Sequence, residues 1–215
     1  MTLRQHPIAE LLTHHLQRDL VMGIEDALII GARRGYLAGH PMHSGHRKTA
    51  IGYSRHLHMN EAFSEALEAA GAEPSPLRGN HIVVGRSGMF SIGRFHSNTG
   101  LKGGSRSQSR KDLAEANGVL ERVVNPDLFE INRAPTRGSV FFVSVSNPHY
   151  NGHEDEDPLS RIEIGVPATD MSRWVFRETT KIFLQRYELA TPQEDNAQVY
   201  LKKGVAKPSD QGQEQ

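Results

Sequence analysis

The chain contains no cysteine. Disulfide scaffolds, thiolate zinc sites and cysteine nucleophiles are therefore excluded, and a reducing compartment, the cytoplasm, is the location that we expect. No apolar run approaches the roughly 20 residues that span a bilayer. Residues 1–20 carry Arg4, Glu10, Arg18 and Asp19 instead of the continuous apolar stretch of a signal peptide. We therefore expect a soluble protein with no membrane partner.

The chain also lacks net charge, but its charges are segregated along the sequence. Residues 27–111 hold 12 basic and four acidic residues, whereas residues 112–215 hold 11 basic and 17 acidic residues. Two stretches, 27–60 and 74–111, contain no acidic residue at all. Such an excess can form a surface that attracts polyanions. In the alternative, the basic middle folds against the acidic C-terminal third, and the charges pair within the molecule.

Apolar spacing predicts helices in the first third of the chain. Residues 7–37 carry an apolar stripe at spacings of three and four, which Gly23 is expected to interrupt. A further helix is predicted over 60–70, with Asn60 as its N-cap. Helical character returns over residues 111–124.

From residue 80 the apolar period changes to two, which is typical of strands. Strands are predicted over 81–86, 89–95, 139–146 and 161–166 and around Trp174 and Phe176. The strands lie too close in sequence for helical crossovers, so we expect them to pair mostly antiparallel. The predicted fold class is α+β, with a helical N-terminal third packed on a mostly antiparallel sheet.

The same pattern predicts one domain. We expect a single α+β domain over residues 1–201, mainly helical in 1–72 and mainly strands in 79–201. Residues 202–215 are polar and contain Pro208, and we expect them to form a disordered tail.

Residues 98–111 form a stretch rich in glycine, serine and basic residues. Glycines permit close approach of main-chain N–H groups to phosphate oxygens, and arginine forks match phosphate geometry. The stretch is not a Walker A loop, because the GxxxxGK[ST] pattern is not matched. Together with the rest of the basic middle, it provides the candidate nucleic-acid or phosphate-binding residues Arg47, Lys48, Arg55, Arg86, Arg94, Lys102, Arg106, Arg110 and Lys111.

Histidine is frequent, with 12 in the chain. Five of them fall within residues 40–58 and are candidate metal ligands, since neutral imidazole binds zinc and other transition metals. The first three are expected in a loop, and the last two on one face of a strand. Arg47 and Lys48 would oppose a divalent cation, so phosphate contacts or ordinary surface positions are the alternatives. The candidate ligands are His40, His43, His46, His56 and His58.

Three functions follow as hypotheses. The first is an intracellular protein that binds DNA, another nucleic acid or another polyanion through its basic middle. The second is a histidine-dependent hydrolase or nuclease, with a divalent metal as its candidate cofactor. The third is an interaction module, such as an inhibitor or toxin, acting on a protein partner. No GxSxG or SxxK nucleophile pattern identifies catalytic residues.

Overall fold

The structure, a computed structural model, describes residues 5–97, 107–125, 134–153 and 155–189. Helices dominate the first third, and strands dominate the remainder, which confirms the α+β class. No helix in the described ranges is long and apolar enough to cross a membrane. In chain order the elements are α1 (Pro7–His15), α2 (Arg18–Gly39), α3 (Ser44–Ala69), β1 (Val84–Ser87), β2 (Phe90–His96), α4 (Gln108–Ala114), a 3-10 turn (Glu115–Asn117), α5 (Gly118–Val124), β3 (Gly138–Ser146), β4 (Leu159–Pro167), β5 (Trp174–Thr179) and α6 (Thr180–Leu189).

The five strands form one mixed sheet in the order β1-β2-β3-β4-β5. Three of the pairings are antiparallel, as expected, but β2 and β3 run parallel. The expectation that no connection is long enough for a helical crossover is wrong at this point, because α4 and α5 lie between β2 and β3. The carboxyl ends of β2 and β3 therefore meet at the same edge of the sheet.

The core has a large part and a small part, one on each face of the sheet. Side chains of α1, α2, α3 and α6 pack on one face, against β2, β3 and β4. On the other face Phe95 and Phe141 pack with Leu113 of α4 and with Met171 and Trp174. Both faces of β3 are buried, which agrees with its continuous apolar sequence.

Helices α2 and α3 approach closely along a stripe of glycines in α2, Gly31, Gly35 and Gly39. A Cβ atom built on Gly35 would lie 2.2 Å from the Cα of Arg55, and one on Gly31 would lie 2.7 Å from the Cα of Met59. No side chain fits in that space, so the glycines determine how close α3 lies to α2. This contact fixes the position from which Arg55 projects.

Two helix boundaries differ from the sequence-based predictions. Helix α2 runs through Gly23, and the break falls at Leu16–Gln17, because buried neighbours such as Val21 and Ile24 hold the helix around the glycine. Helix α3 begins at Ser44 and not at Asn60. Its buried residues begin only at Met59, so its first half carries no apolar period from which a helix could be predicted.

Candidate anion-binding site

Three of the sequence-predicted arginines lie at the carboxyl end of the β2–β3 pair. Arg94 is on β2, Arg110 is in the first turn of α4, and Arg55 is on α3, which crosses this edge of the sheet. We call Arg55, Arg94 and Arg110 the arginine cluster. Arg55 reaches β3, where its Nη1 donates to Oγ of Ser146 at 2.7 Å. Arg110 is close enough to Arg94 for its charge to affect the pKa of the Arg94 guanidinium.

The guanidinium of Arg94 is buried, with only 3% of the residue exposed. Its Nε and Nη2 donate to Oδ1 of Asn60 at 3.0 and 2.5 Å, and Nη2 also donates to the carbonyl of His56 at 2.6 Å. Its Nη1 has no hydrogen-bond partner among the described residues. Burial, and secondly the charge of Arg110, lower the pKa of Arg94 to about 9, so the group remains charged at pH 7.

Asn60 and His56 hold Arg94 from the α3 side. Asn60 is itself 3% exposed, and its Nδ2 donates to the carbonyl of His81 at 3.0 Å. Nε2 of His56 lies 3.2 Å from the carbonyl oxygen of Asn80. Burial, followed by the charge of Arg94, lowers the pKa of His56 below its usual 6.5. A neutral imidazole therefore lies beside the cluster at pH 7.

Arg110 and Arg55 complete the cluster with largely unused donors. The Arg110 guanidinium carbon lies 4.7 Å from the centre of the Phe95 ring, a cation–π contact. Its Nε is buried and has no hydrogen-bond partner. Burial lowers the pKa of both Arg110 and Arg55. The cluster is thus a set of three desolvated cations at one edge of the sheet.

A polar chain on β2 and β3 adjoins the cluster. Oγ of Ser146, which accepts from Arg55, is 2.8 Å from Nε2 of His96. Nδ1 of the same imidazole is 3.0 Å from Oγ of Ser144. His96 and Ser144 are direct partners in the parallel register, and Ser146 lies at the last position of β3.

Among the described residues, no carboxylate is paired with the arginine cluster. Within the described ranges, no arginine or lysine of residues 27–111 forms an ion pair with a carboxylate. Ion pairs of the C-terminal third join its own residues: Arg161 and Arg177 pair with Glu163 at 2.8 and 2.6 Å, and Arg173 pairs with Glu121 at 3.0 Å. The hypothesis that the basic middle pairs with the acidic third thus finds no ion pair in this part of the chain.

Arg33, in the basic middle, contacts the loop between β3 and β4, and the acceptor is a main-chain carbonyl. Nη2 of Arg33 donates to the backbone carbonyl of Glu156 at 3.2 Å. Nε of Arg33 and Oε2 of Glu156 are both buried without a hydrogen-bond partner. The loop between β3 and β4 therefore packs on α2 through this contact.

The remaining candidate phosphate contacts are dispersed. Arg47 and Lys48 are exposed in the first turns of α3, and Lys48 lies two turns from Arg55, about 10 Å along the same helix face. Lys111 is exposed on α4. Arg86 is exposed on β1 beside Ser91, at the opposite end of β2 from Arg94.

Part of the glycine-rich stretch lies outside the described residues. Lys102 and Arg106 lie outside the described residues, as does the predicted polar tail, 202–215.

The five candidate metal ligands are spread along the α2–α3 hairpin. His40 stacks on Tyr36, and Nδ1 of His43 accepts from the backbone N–H of Gly45 as the N-cap of α3. His56 and His58 lie in helix α3 and not in the predicted strand. Two residues apart in a helix, their side chains point to different faces. The described ranges contain no group of three or more histidine, aspartate or glutamate side chains arranged to hold a metal ion.

Helix length explains why these histidines do not converge. His46 and His56 are both on α3, ten residues and so about 15 Å apart along its axis. His58 instead lies 3.1 Å from Oε2 of Glu61, one turn further along the helix.

Sequence reasoning missed the uncharged members of the site, which are Asn60, His96, Ser144 and Ser146. A usable pattern exists at the end of β3, where the apolar strand finishes as Ser144-Val145-Ser146. Polar side chains at the carboxyl end of a buried strand often face a ligand in parallel sheets. This pattern indicates a site only if β2 and β3 run parallel, and the strand spacing predicts antiparallel pairing instead.

Comparisons of this chain with models of protein families, with curated proteins and with solved structures found no match. The geometry of the site therefore carries the functional conclusion.

Proposed function

We propose that this protein binds nucleic acid, or another polyanion that carries phosphate, through the arginine cluster. The observation that carries the proposal is Arg94: a buried guanidinium that is held by neutral partners and forms no ion pair with a carboxylate of the described residues. A buried charge without a partner is costly, by several kcal/mol in order of magnitude. A phosphate would supply both the missing negative charge and acceptors for the remaining donors.

The position of the cluster supports the same conclusion. It lies at the carboxyl ends of two parallel strands, the edge at which open α/β sheets commonly bind ligands. Exposed Lys48 and Lys111 flank it on α3 and α4 and extend the positive surface. Such peripheral cations contribute sequence-independent contacts to a phosphate backbone.

The proposal is tested by titrating fluorescent single- and double-stranded DNA and RNA against nuclease-treated, tag-free protein at several salt concentrations. We expect log K to fall linearly with log salt, with a slope of roughly −0.9 per phosphate contact on duplex DNA. Arg110→Gln and Arg55→Gln should weaken binding and reduce the slope by about one unit each.

Lys181→Gln provides the matched control, because it removes one exposed charge on α6, outside the cluster. It should leave both affinity and slope nearly unchanged. Absence of binding at low salt would refute the proposed function. Equal losses in the control and in the cluster variants would instead assign binding to diffuse charge and not to this site.

A further inference from the structure

Ser146 has the hydrogen-bond environment of an activated nucleophile. Arg55 can only donate, so Oγ of Ser146 accepts from it, and the same oxygen lies 2.8 Å from Nε2 of His96. In the tautomer with its proton on Nδ1, which faces Oγ of Ser144 at 3.0 Å, Nε2 of His96 can accept the Ser146 proton. The contacts thus run from Arg55 to Ser146, from Ser146 to His96, and from His96 to Ser144. In this chain His96 can act as the base, and Ser144 can orient it.

This arrangement matches a general requirement of nucleophilic catalysis. A serine is a weak nucleophile unless a base within about 2.6–3.2 Å takes its proton, and a third group normally holds that base in orientation. Ser146 is the last residue of β3 and is partly exposed. Arg55 touches the same oxygen and belongs to the arginine cluster, where the phosphate is proposed to bind.

We propose that Ser146 attacks a phosphate ester of the bound polyanion and forms a phosphoserine ester. This inference rests on the proposed function, because the arginine cluster must hold the phosphate. A bond forms between Ser146 Oγ and phosphorus, and the bond from phosphorus to the leaving oxygen breaks. The Ser146 proton passes to Nε2 of His96, which returns it to the leaving oxygen. Water then hydrolyses the ester and restores Ser146.

Cations of the cluster have a defined part in this step. Negative charge on the non-bridging oxygens of the phosphoryl group is held by preorganised donors, of which Arg55 is nearest to Ser146. Because Arg55 contacts Oγ directly, it also favours the alkoxide character that develops there. No further reactant besides water is needed.

The test uses the full chain and oligonucleotides labelled with a fluorophore at either the 5′ or the 3′ end. After incubation, samples are denatured and separated, and label that migrates with the protein is measured. Bis(4-nitrophenyl) phosphate serves as a second probe, with release of 4-nitrophenolate as its readout. Binding is measured on the same samples by anisotropy, so that failure to bind and failure to react are distinguished.

We expect a covalent adduct with wild-type protein, mapped by mass spectrometry to Ser146. Ser146→Ala should remove the adduct, and His96→Gln should slow its formation by about a hundredfold. Ser139→Ala is the matched control on the same strand, since the buried Ser139 hydroxyl has no hydrogen-bond partner and lies far from the cluster. It should react as wild type does.

The orienting role of Ser144 has its own readout. Ser144→Ala should slow the reaction and shift its pH profile, because His96 loses the group that faces Nδ1. Ser144→Thr keeps a hydroxyl and should restore the reaction rate and the pH profile of wild type. Melting temperatures of all variants establish that each one is folded.

Two results would overturn the inference. One is wild-type protein that binds DNA but forms no adduct and releases no 4-nitrophenolate, which would leave the proposed binding function standing. The other is an adduct that maps to a residue other than Ser146. Protein that neither binds DNA nor hydrolyses bis(4-nitrophenyl) phosphate would refute both proposals.

Discussion

The residue on which the site depends most is Arg94. It is held by the amide of Asn60 and the carbonyl of His56, both of which are neutral. These acceptors bind Nε and Nη2 of Arg94 but bring no negative charge to the buried guanidinium. Occupation of the site by an anion should therefore stabilise the whole fold.

Addition of pyrophosphate should raise the melting temperature of the protein. At a hundredfold excess over the dissociation constant, a ligand that binds only the folded state adds about 2.7 kcal/mol. For a chain of this length, each kcal/mol corresponds to roughly 2–4 °C. The measurement is differential scanning fluorimetry, with sodium chloride at equal ionic strength as the control. An equal rise in Arg94→Gln would contradict this assignment.

His56 should make stability dependent on pH. Its pKa is lowered in the folded state, so below about pH 6.5 the unfolded chain binds the proton more readily than the folded chain does. Stability contributed by neutral His56 is present above that pH and is lost as the pH falls. His15, whose pKa is lowered by burial and by His14, contributes in the same direction.

Urea unfolding at several pH values measures this dependence. A range of about pH 5 to 7.5 brackets the usual histidine pKa of about 6.5. The free energy of unfolding should fall with acidification in wild type and fall less steeply in His56→Gln. His149→Gln is the control, because His149 is exposed in the loop after β3. A wild-type slope that His56→Gln leaves unchanged would show that another group titrates.

Among the elements, the α2–α3 hairpin is the one that positions the site. Its glycine stripe brings α3 close to α2, and α3 in turn holds Arg55, His56 and Asn60 over the carboxyl ends of β2 and β3. First-half residues of α3 are mostly exposed, so close contact with α2 replaces burial of an apolar face as the source of its stability.

Two glycines of α2 should respond oppositely to alanine. Gly35→Ala places a Cβ atom 2.2 Å from the Cα of Arg55, so the helices must separate, and we expect a loss of about 1–3 kcal/mol. Gly23→Ala meets nothing within 4 Å and should gain roughly 0.5–1 kcal/mol, because alanine favours the helix. Chemical denaturation measures both. If Gly35→Ala leaves the free energy of unfolding unchanged, the close α2–α3 contact at Gly35 is contradicted.

At the scale of the whole molecule, the parallel crossover joins the two faces of the sheet. Helix α4, between β2 and β3, packs with the small cluster that contains Trp174, while α1, α2 and α3 pack on the other face. All of them share the same five-stranded sheet. One cooperative domain is therefore expected.

Thermal unfolding should consequently give the same midpoint with two probes. Trp174 is the one tryptophan of the chain, so its fluorescence reports the face with the small cluster. Far-ultraviolet circular dichroism reports mainly the long helices of the opposite face. Coincident transitions are the test of a single two-state unit. Separate midpoints would contradict the expectation of one domain over residues 1–201.

Local sequence determined the elements whose burial follows a simple period. The sequence predicts β4 and the β1–β2 hairpin near their observed positions from alternating apolar side chains, and it predicts β3 from a continuous apolar run. The absence of cysteine likewise excludes thiol chemistry, and the acid-free stretches predict a basic region.

Tertiary structure alone decided which basic residues meet. Arg55, Arg94 and Arg110 belong to three elements and converge because β2 pairs parallel to β3 and because glycines let α3 lie against α2. Arg47 and Arg86 have the same chemistry in the same basic region but lie elsewhere. Long-range pairing depends on contacts between distant segments, and a local hydrophobic period carries no information about those contacts. The charge pattern therefore predicts an anion ligand, and the packing determines which arginines lie together.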